Sequence, residues 1–138
     1  MNSLSSRFVA YAPQILSLLR IIAGLLFLEH GLVKLFGFPP GAQPGAQAVG
    51  SLFWIGGVLE LVGGALVALG LFTRPVAFIL SGEMAVAYFM VHAKQNFFPA
   101  VNGGDAAILF CFIFLYLAAA GGGAWSFDRL HGRRAEAA

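Results

Sequence analysis

Glu29, Glu60 and Glu83 each sit inside an apolar run long enough to cross a membrane, and His30, Lys34, His92 and Asp105 lie close by in the chain. An ionisable group at mid-bilayer costs about 2.5–3.5 kcal/mol even on lenient insertion scales, so such groups persist mainly where they pair or act. A carboxyl in a dry site can hold and pass a proton, and an imidazole can do so near neutral pH. An ammonium can orient a carbonyl or an oxyanion. These residue types point to proton-coupled chemistry, or to capture of a polar head group, inside a membrane. Glu60, Glu83 and His30 are the candidate catalytic groups; Glu29, Lys34, His92, Asn102, Asp105 and Tyr116 are the candidate ligand-binding groups.

The elements that must position them follow from composition. Of 138 residues, 59% are hydrophobic and only 10% charged, against about 25% charged in an ordinary globular domain. Four runs reach the roughly 20 residues a span needs: 15–38, 51–72, 75–94 and 104–122. Backbone groups in lipid must be satisfied within their own segment, so the runs are helices. The expected fold is an all-α integral membrane protein, a single four-transmembrane-helix bundle over residues 1–138. Pro39-Pro40 closes the first run, Ser51 is placed to cap the second, and Pro75 suits a first helical turn. The first run is too long for a signal-peptide core, and no small-residue cleavage site follows it.

Arg7, Arg20, Arg74, Arg129, Arg133 and Arg134 fall on one side of these spans and only Lys34 and Lys94 on the other. By the positive-inside rule both termini are cytoplasmic. Measured from the outer ends at 1.5 Å per residue, Glu29 and Glu60 lie about 13–14 Å deep, Glu83 about 17 Å, His30 about 12 Å and Lys34 about 6 Å. His92 and Asp105 lie within about 5 Å of the outer edge. The polar set is thus wide at the outer face and narrows towards mid-membrane, while the cytoplasmic half is expected to hold almost none. Helical spacing puts His30 and Lys34 on one face with Glu29 on its flank. It sets Glu60 in a stripe with Gly56, Gly63 and Gly64, and aligns Asp105, Phe112 and Tyr116. His92 points away from Glu83 and belongs to the mouth.

Simpler readings compete with these. The carboxyls, histidines and Lys34 can act as glue between helices, and Lys34 can snorkel to the interface. No histidine pair occurs at i,i+4 and no ligand spacing is present, so a metal or haem is disfavoured. The single cysteine, Cys111, lies among Leu109, Phe110, Phe112 and Ile113, and reads as a buried core residue. Gly121-Gly122-Gly123 is not a nucleotide loop, and no basic run interleaved with aromatics suggests nucleic acid.

Taken in order, the residues resemble the DoxX family of small four-span bacterial membrane proteins. The likeness runs from Arg20, Gly24, Phe27, His30-Gly31 and Lys34-Leu35-Phe36-Gly37 to Gly57, Glu60, Gly63-Gly64 and Gly70-Leu71-Phe72-Thr73-Arg74-Pro75. It continues through Met84, Ala87-Tyr88-Phe89, His92, Phe98-Pro99 and Asn102-Gly103-Gly104-Asp105, and ends at Gly121, Gly123 and Trp125-Ser126-Phe127-Asp128. Asp105 stands where the family tends to have Glu, and Gly121-Gly122-Gly123 where it often has Gly-Pro-Gly. The resemblance implies a multi-pass protein of the bacterial cytoplasmic (inner) membrane. It also implies a link to membrane oxidoreductases, because the family takes its name from a subunit similar to one in thiosulfate:quinone oxidoreductases. More distant animal relatives look like assembly helpers or cargo receptors.

The leading expectation is therefore a membrane subunit of a quinone-linked oxidoreductase. Its polar cleft opens to the outer, periplasmic side, its cofactor is a quinone, and a partner redox or soluble subunit supplies electrons. The alternative is a non-enzymatic binding or assembly module for a small ligand, a lipid or a partner protein. A carrier is disfavoured because the polar set stops at mid-membrane. Membrane lipid is an expected partner, and the glycine stripes leave room for a homodimer.

Overall fold

The computed structural model describes residues 8–136, with side chains as far as residue 132. Every regular element among these residues is helical. The long ones are α1 (Ala12–Phe36), α2 (Leu52–Leu69), α3 (Thr73–Ala87), which runs on into a π-helical turn (Tyr88–His92), and α5 (Asp105–Ala120). The single-turn α4 (Pro99–Asn102) precedes α5, and α6 (Phe127–Glu136) ends the described chain. α1, α2 and the continuous stretch Thr73–His92 are long and apolar enough to cross a membrane; α5 is apolar and has 16 residues. The four expected runs match α1, α2, α3 with its π turn, and α5 to within three residues at each end. Arg7, used above to orient the chain, lies outside the described residues, as do the side chains of Arg133 and Arg134.

Local chemistry sets the helix ends. Ser51 caps α2, its hydroxyl accepting from the amide of Trp54 at 3.2 Å. α1 stops before Pro39, at Gly37, whose φ of +66° lets its amide reach back to the carbonyls of Leu32 and Val33. Gly70 ends α2 in the same way with φ +72°.

The bundle is built from two close pairs, α1 with α2 and α3 with α5, and the two pairs meet more loosely along α2 and α3. Glycines set the first pair. A Cβ at Gly24 would lie 2.5 Å from the Ala68 amide nitrogen, one at Gly64 2.5 Å from that of Leu28, and one at Gly31 2.5 Å from that of Leu61. Backbone lies on backbone along this seam, as small residues permit between membrane helices. The α2 stripe expected from Gly56, Gly63 and Gly64 divides in two. Gly57 and Gly64 face α1, whereas Gly63 abuts Leu80 of α3 and Gly56 looks towards Glu83. Glu60 lies between the two rows and is buried. Phe27, Leu80, Met84, Phe114 and Leu117 form the apolar centre, with Phe27 edge-on to Phe114 at 4.8 Å.

The opposite end of the bundle corrects one expectation. It was expected to hold almost no polar groups, with Arg20 serving only as a flanking charge. Arg20 is instead fully buried. Its Nε donates to Gly122 O at 2.8 Å, Nη1 to Val67 O at 2.6 Å and also to Ala68 O, and Nη2 to Trp125 O at 2.7 Å. The last-turn carbonyls of α2 have no partner within their own helix, and a planar fork of five N–H donors can serve several acceptors at once. Arg74 does the same for α5, donating to the carbonyls of Ala118 and Ala119. Ser17 accepts from the Trp125 amide at 3.0 Å and donates to Pro13 O.

Asp128 completes this knot at the start of α3, where its two carboxylate oxygens accept from the amides of Phe72 and Thr73, each at 2.8 Å. Burial alone would raise its pKa. The two amide bonds and the nearby Arg20 outweigh burial and hold it below the ordinary 3.8. A lowered folded pKa means that ionised Asp128 contributes its full stability above pH 3.8 and loses it as pH falls through the folded value. Asp128→Asn is therefore expected to cost about 1–2 kcal/mol at neutral pH, the scale of a lost helix cap. It should also flatten the acid-side decline, as read by melting temperature in lipid discs between pH 7 and 3. A variant that melts like the wild type at pH 7 would show that the cap is dispensable.

Candidate functional site

Three helices bring three charged side chains together. Lys34 lies in the last turn of α1, and the amide of Gln47 in the following loop donates to its carbonyl at 2.8 Å. Glu60 projects from the middle of α2, and the Lys34 Nζ donates to its Oε1 at 2.6 Å. Glu60 is 1% exposed and Lys34 17%. Glu83 comes from α3, with its Oε1 in the space left by Gly56: a Cβ there would sit 3.3 Å from Oε1 and 4.0 Å from Lys34 Nζ. The second carboxyl oxygens of both Glu60 and Glu83 are buried and have no hydrogen-bond partner. Buried polar atoms in native proteins are nearly always satisfied, so two orphans lining one cavity make this the candidate site.

Space adjoins them. A cavity of about 320 Å³ runs between α2 and α3, with Lys34, Glu60 and Glu83 at its polar head. Phe53, Ile55, Leu59, Ile79, Val86 and Met90 supply apolar walls, and all six are exposed at the bundle surface, so the cavity opens sideways between the helices. That opening exists because α2 and α3 pack more loosely than either close pair. The π-helical turn forms part of the far wall through Met90 and Val91. Such turns insert one residue per helical turn and recur at functional sites. A pocket of this size with few polar groups at one end suits an amphiphile with a compact head.

The other candidates are not part of this head. His30 is exposed and bonds through Nδ1 with Leu26 O at 2.8 Å, its ring beside Phe27 and edge-on to Phe110. Glu29 is exposed on the same helix. His92 bonds Asn102 O at 2.9 Å and stacks with Tyr88. Asn102 is buried, donating to Asn96 O and accepting from the Gly104 amide, so this pair ties the π turn to the loop before α5. Asp105 is exposed in the first turn of α5, and Tyr116 is exposed further along it. No group of three or more His, Cys, Asp or Glu that could hold a metal occurs among the described residues.

Two features escaped the sequence reading. The Lys34–Glu60 pair was missed because spacing on one helix says nothing of how α1 turns against α2. The apolar groove walls carried no mark beyond hydrophobicity.

Among proteins of known sequence, the chain is 47% identical over 122 residues to an uncharacterized protein of Haemophilus influenzae, covering 86% of this chain and 91% of the relative. It is 29% identical over 144 residues to an uncharacterized membrane protein of Mycobacterium tuberculosis, covering 93% and 88%. No solved structure matches it. The DoxX family signature matches residues 15–93, which include Lys34, Glu60, Glu83 and the α1–α2 glycine seam. With its long apolar helices, this chain is a membrane protein and belongs to the DoxX family.

Proposed function

We propose that the groove between α2 and α3 is a quinone site in a four-span subunit of a bacterial inner-membrane oxidoreductase. Both termini would be cytoplasmic and the Lys34 end periplasmic, by the arginine distribution. The observation that carries this reading is the pair of orphan carboxyl oxygens beside an ammonium, at the head of an apolar groove open to the lipid side. The residues fit the head of a quinone. Lys34 Nζ spends one of its three donors on Glu60 and has two more for a ring carbonyl. Glu83, across the gap at Gly56, can address the ring from the other side, and the apolar walls suit an isoprenoid tail and exclude water.

A bound quinone supplies a two-electron, two-proton acceptor; electrons come from a partner subunit. The chain's own task is protons. One ammonium faces two carboxyls, so the electrically neutral trio consists of Lys34 as ammonium, one carboxylate and one carboxylic acid. That acid is a transferable proton held within reach of the groove. The oxygens available to hold it are Glu60 Oε2 and Glu83 Oε2, which no protein donor occupies. In this reading His30 is not part of the proton site.

The test is bound quinone per chain, by mass spectrometry on protein extracted with its native lipids. Wild type is expected to carry near-stoichiometric quinone, and Gly56→Leu, which fills the head, and Glu83→Gln at least tenfold less. Retention of quinone in both folded variants would overturn the site. A tightly held phospholipid or peptide in place of quinone would favour the binding-module alternative, for which the same groove provides the geometry.

A further inference from the structure

We propose that the cavity between the start of α3, the end of α5 and α6 binds a phosphate group, with Arg74 and Arg129 as its two cationic walls.

The cavity has a volume of about 530 Å³ and lies at the opposite end of the bundle from Lys34. It is separate from the groove and does not rest on the quinone reading. Its walls come from the ends of spans, so it sits at the depth of lipid head groups.

Arg74 is pinned there. Its Nη1 is spent on the carbonyls of Ala118 and Ala119 in the last turn of α5. Nε and Nη2 have no hydrogen bond among the described residues. Together they form the side-on edge of the fork, which can meet two oxygens of an anion at once. Gly121, held at φ +87°, leaves that side bare: a Cβ there would touch Nη2 at 3.4 Å and Nε at 3.5 Å. Arg74 is thus fixed by one nitrogen and unspent at two.

Arg129 lines the same cavity from α6. Its backbone amide donates to the Ser126 hydroxyl, but its guanidinium has no hydrogen bond or ion pair among the described residues. Asp128 does not answer these cations. Its two oxygens are taken by the amides of Phe72 and Thr73, and its charge is set against buried Arg20. The anion position at the start of α3 is therefore already filled, and the two remaining arginines are left for a ligand. A planar carboxylate is satisfied by one fork, whereas a tetrahedral phosphate presents oxygens to guanidinium groups rising from two different helices. The Thr73 hydroxyl is fully buried on the same wall, beside the Asp128 carboxyl, yet completes no hydrogen bond. Pro13, Phe72 and Pro75 add apolar surface next to the arginines, as the glycerol end of a lipid requires. An anionic phospholipid is the expected source of the phosphate; a free phosphate is the other.

The test uses the full chain in discs of phosphatidylcholine, alone or mixed equally with phosphatidylglycerol. Native mass spectrometry counts the phospholipid retained as the disc is stripped away. Wild type is expected to retain phosphatidylglycerol in preference to phosphatidylcholine, whose choline two arginines repel. Arg129→Gln should retain about tenfold less. Lys94→Gln, which removes an exposed charge at the other end, should match the wild type. Arg74→Lys keeps the charge but loses the paired donors, and should retain about fivefold less. Its melting temperature in phosphatidylcholine discs shows separately what the lost contacts to α5 cost. The other arm adds inorganic phosphate to phosphatidylcholine discs at constant ionic strength. A rise in melting temperature that Arg129→Gln abolishes, without retained phosphatidylglycerol, would keep the site and make its ligand a soluble phosphate. Equal retention by wild type and Arg129→Gln, equal losses in Arg129→Gln and Lys94→Gln, or no response of the wild type to either probe would each overturn the proposal.

Discussion

Arg20→Met is expected to cost the bundle about 4–5 kcal/mol, a loss that only a few mechanisms can produce. Methionine roughly fills the aliphatic part of the site, so the cost is electrostatic and not a cavity. Three carbonyls, those of Ala68, Gly122 and Trp125, lose their donor, and that of Val67 is left with the Gly70 amide alone. Each orphaned buried acceptor costs about 1–3 kcal/mol, and bonds from a charged donor lie at the upper end. Some of these carbonyls will find partial substitutes, so the sum is smaller than three full penalties. Arg20→Lys is not a rescue, because a single ammonium with three donors cannot reach carbonyls spread over α2 and the loop from Gly122 to Trp125. It is expected to recover less than half of the loss. Unfolding in mixed micelles, with proteolysis at the α2–α3 turn as a second readout, measures both variants. If Arg20→Met unfolded within about 1 kcal/mol of wild type, the knot would not be what holds the helix ends together.

The contrast between Arg20 and the spans shows what the sequence can and cannot display. Helix boundaries were legible because the length of an apolar run and the residues that punctuate it are local properties. Ser51, Gly37 and Gly70 act within one turn of where they stand. Arg20 was read as a topology signal because charge counting sees sign and not burial. The groups that satisfy it are backbone carbonyls, identical at every position of every sequence, so nothing in their residue types announces the partnership. The site divides along the same line. Glu60 and Glu83 stood out as costly groups in the right part of the chain. Their meeting with Lys34, and the exclusion of His30, follow from how the glycine seam rotates α1 against α2. Gly24 and Gly31 fit against α2 in a register that turns Lys34 inward and leaves Glu29 and His30 outside. The π turn was not legible, since Tyr88–His92 differs from an ordinary helical stretch only in which carbonyl the Ala93 amide reaches.

The Lys34–Glu60 pair offers the sharpest division between holding the bundle together and acting within it. Lys34→Met leaves Glu60 buried with no counter-charge, and breaking a buried pair from one side typically costs about 3–5 kcal/mol. The expected loss here is about 3 kcal/mol, because the stranded carboxyl can take up a proton and so limit the penalty. Glu60→Met alone should cost less, since Lys34 is long enough to carry its ammonium towards water. The double variant, Lys34→Met with Glu60→Met, removes both charges and fills the space with flexible apolar chains. Buried ion pairs replaced in this way are often neutral or better, so the double variant should return to within about 1 kcal/mol of wild type. Stability would then be restored while the polar head of the groove is gone. Bound quinone decides the rest. A double variant as stable as wild type but carrying at least tenfold less quinone makes the pair a ligand-binding device whose stabilising role is secondary. A stable double variant that still carries stoichiometric quinone makes the pair a structural fastener, and moves the head-group site to Glu83 alone. A double variant no more stable than Lys34→Met would show that the 2.6 Å ion pair contributes net stability of its own, against the usual balance of desolvation and attraction.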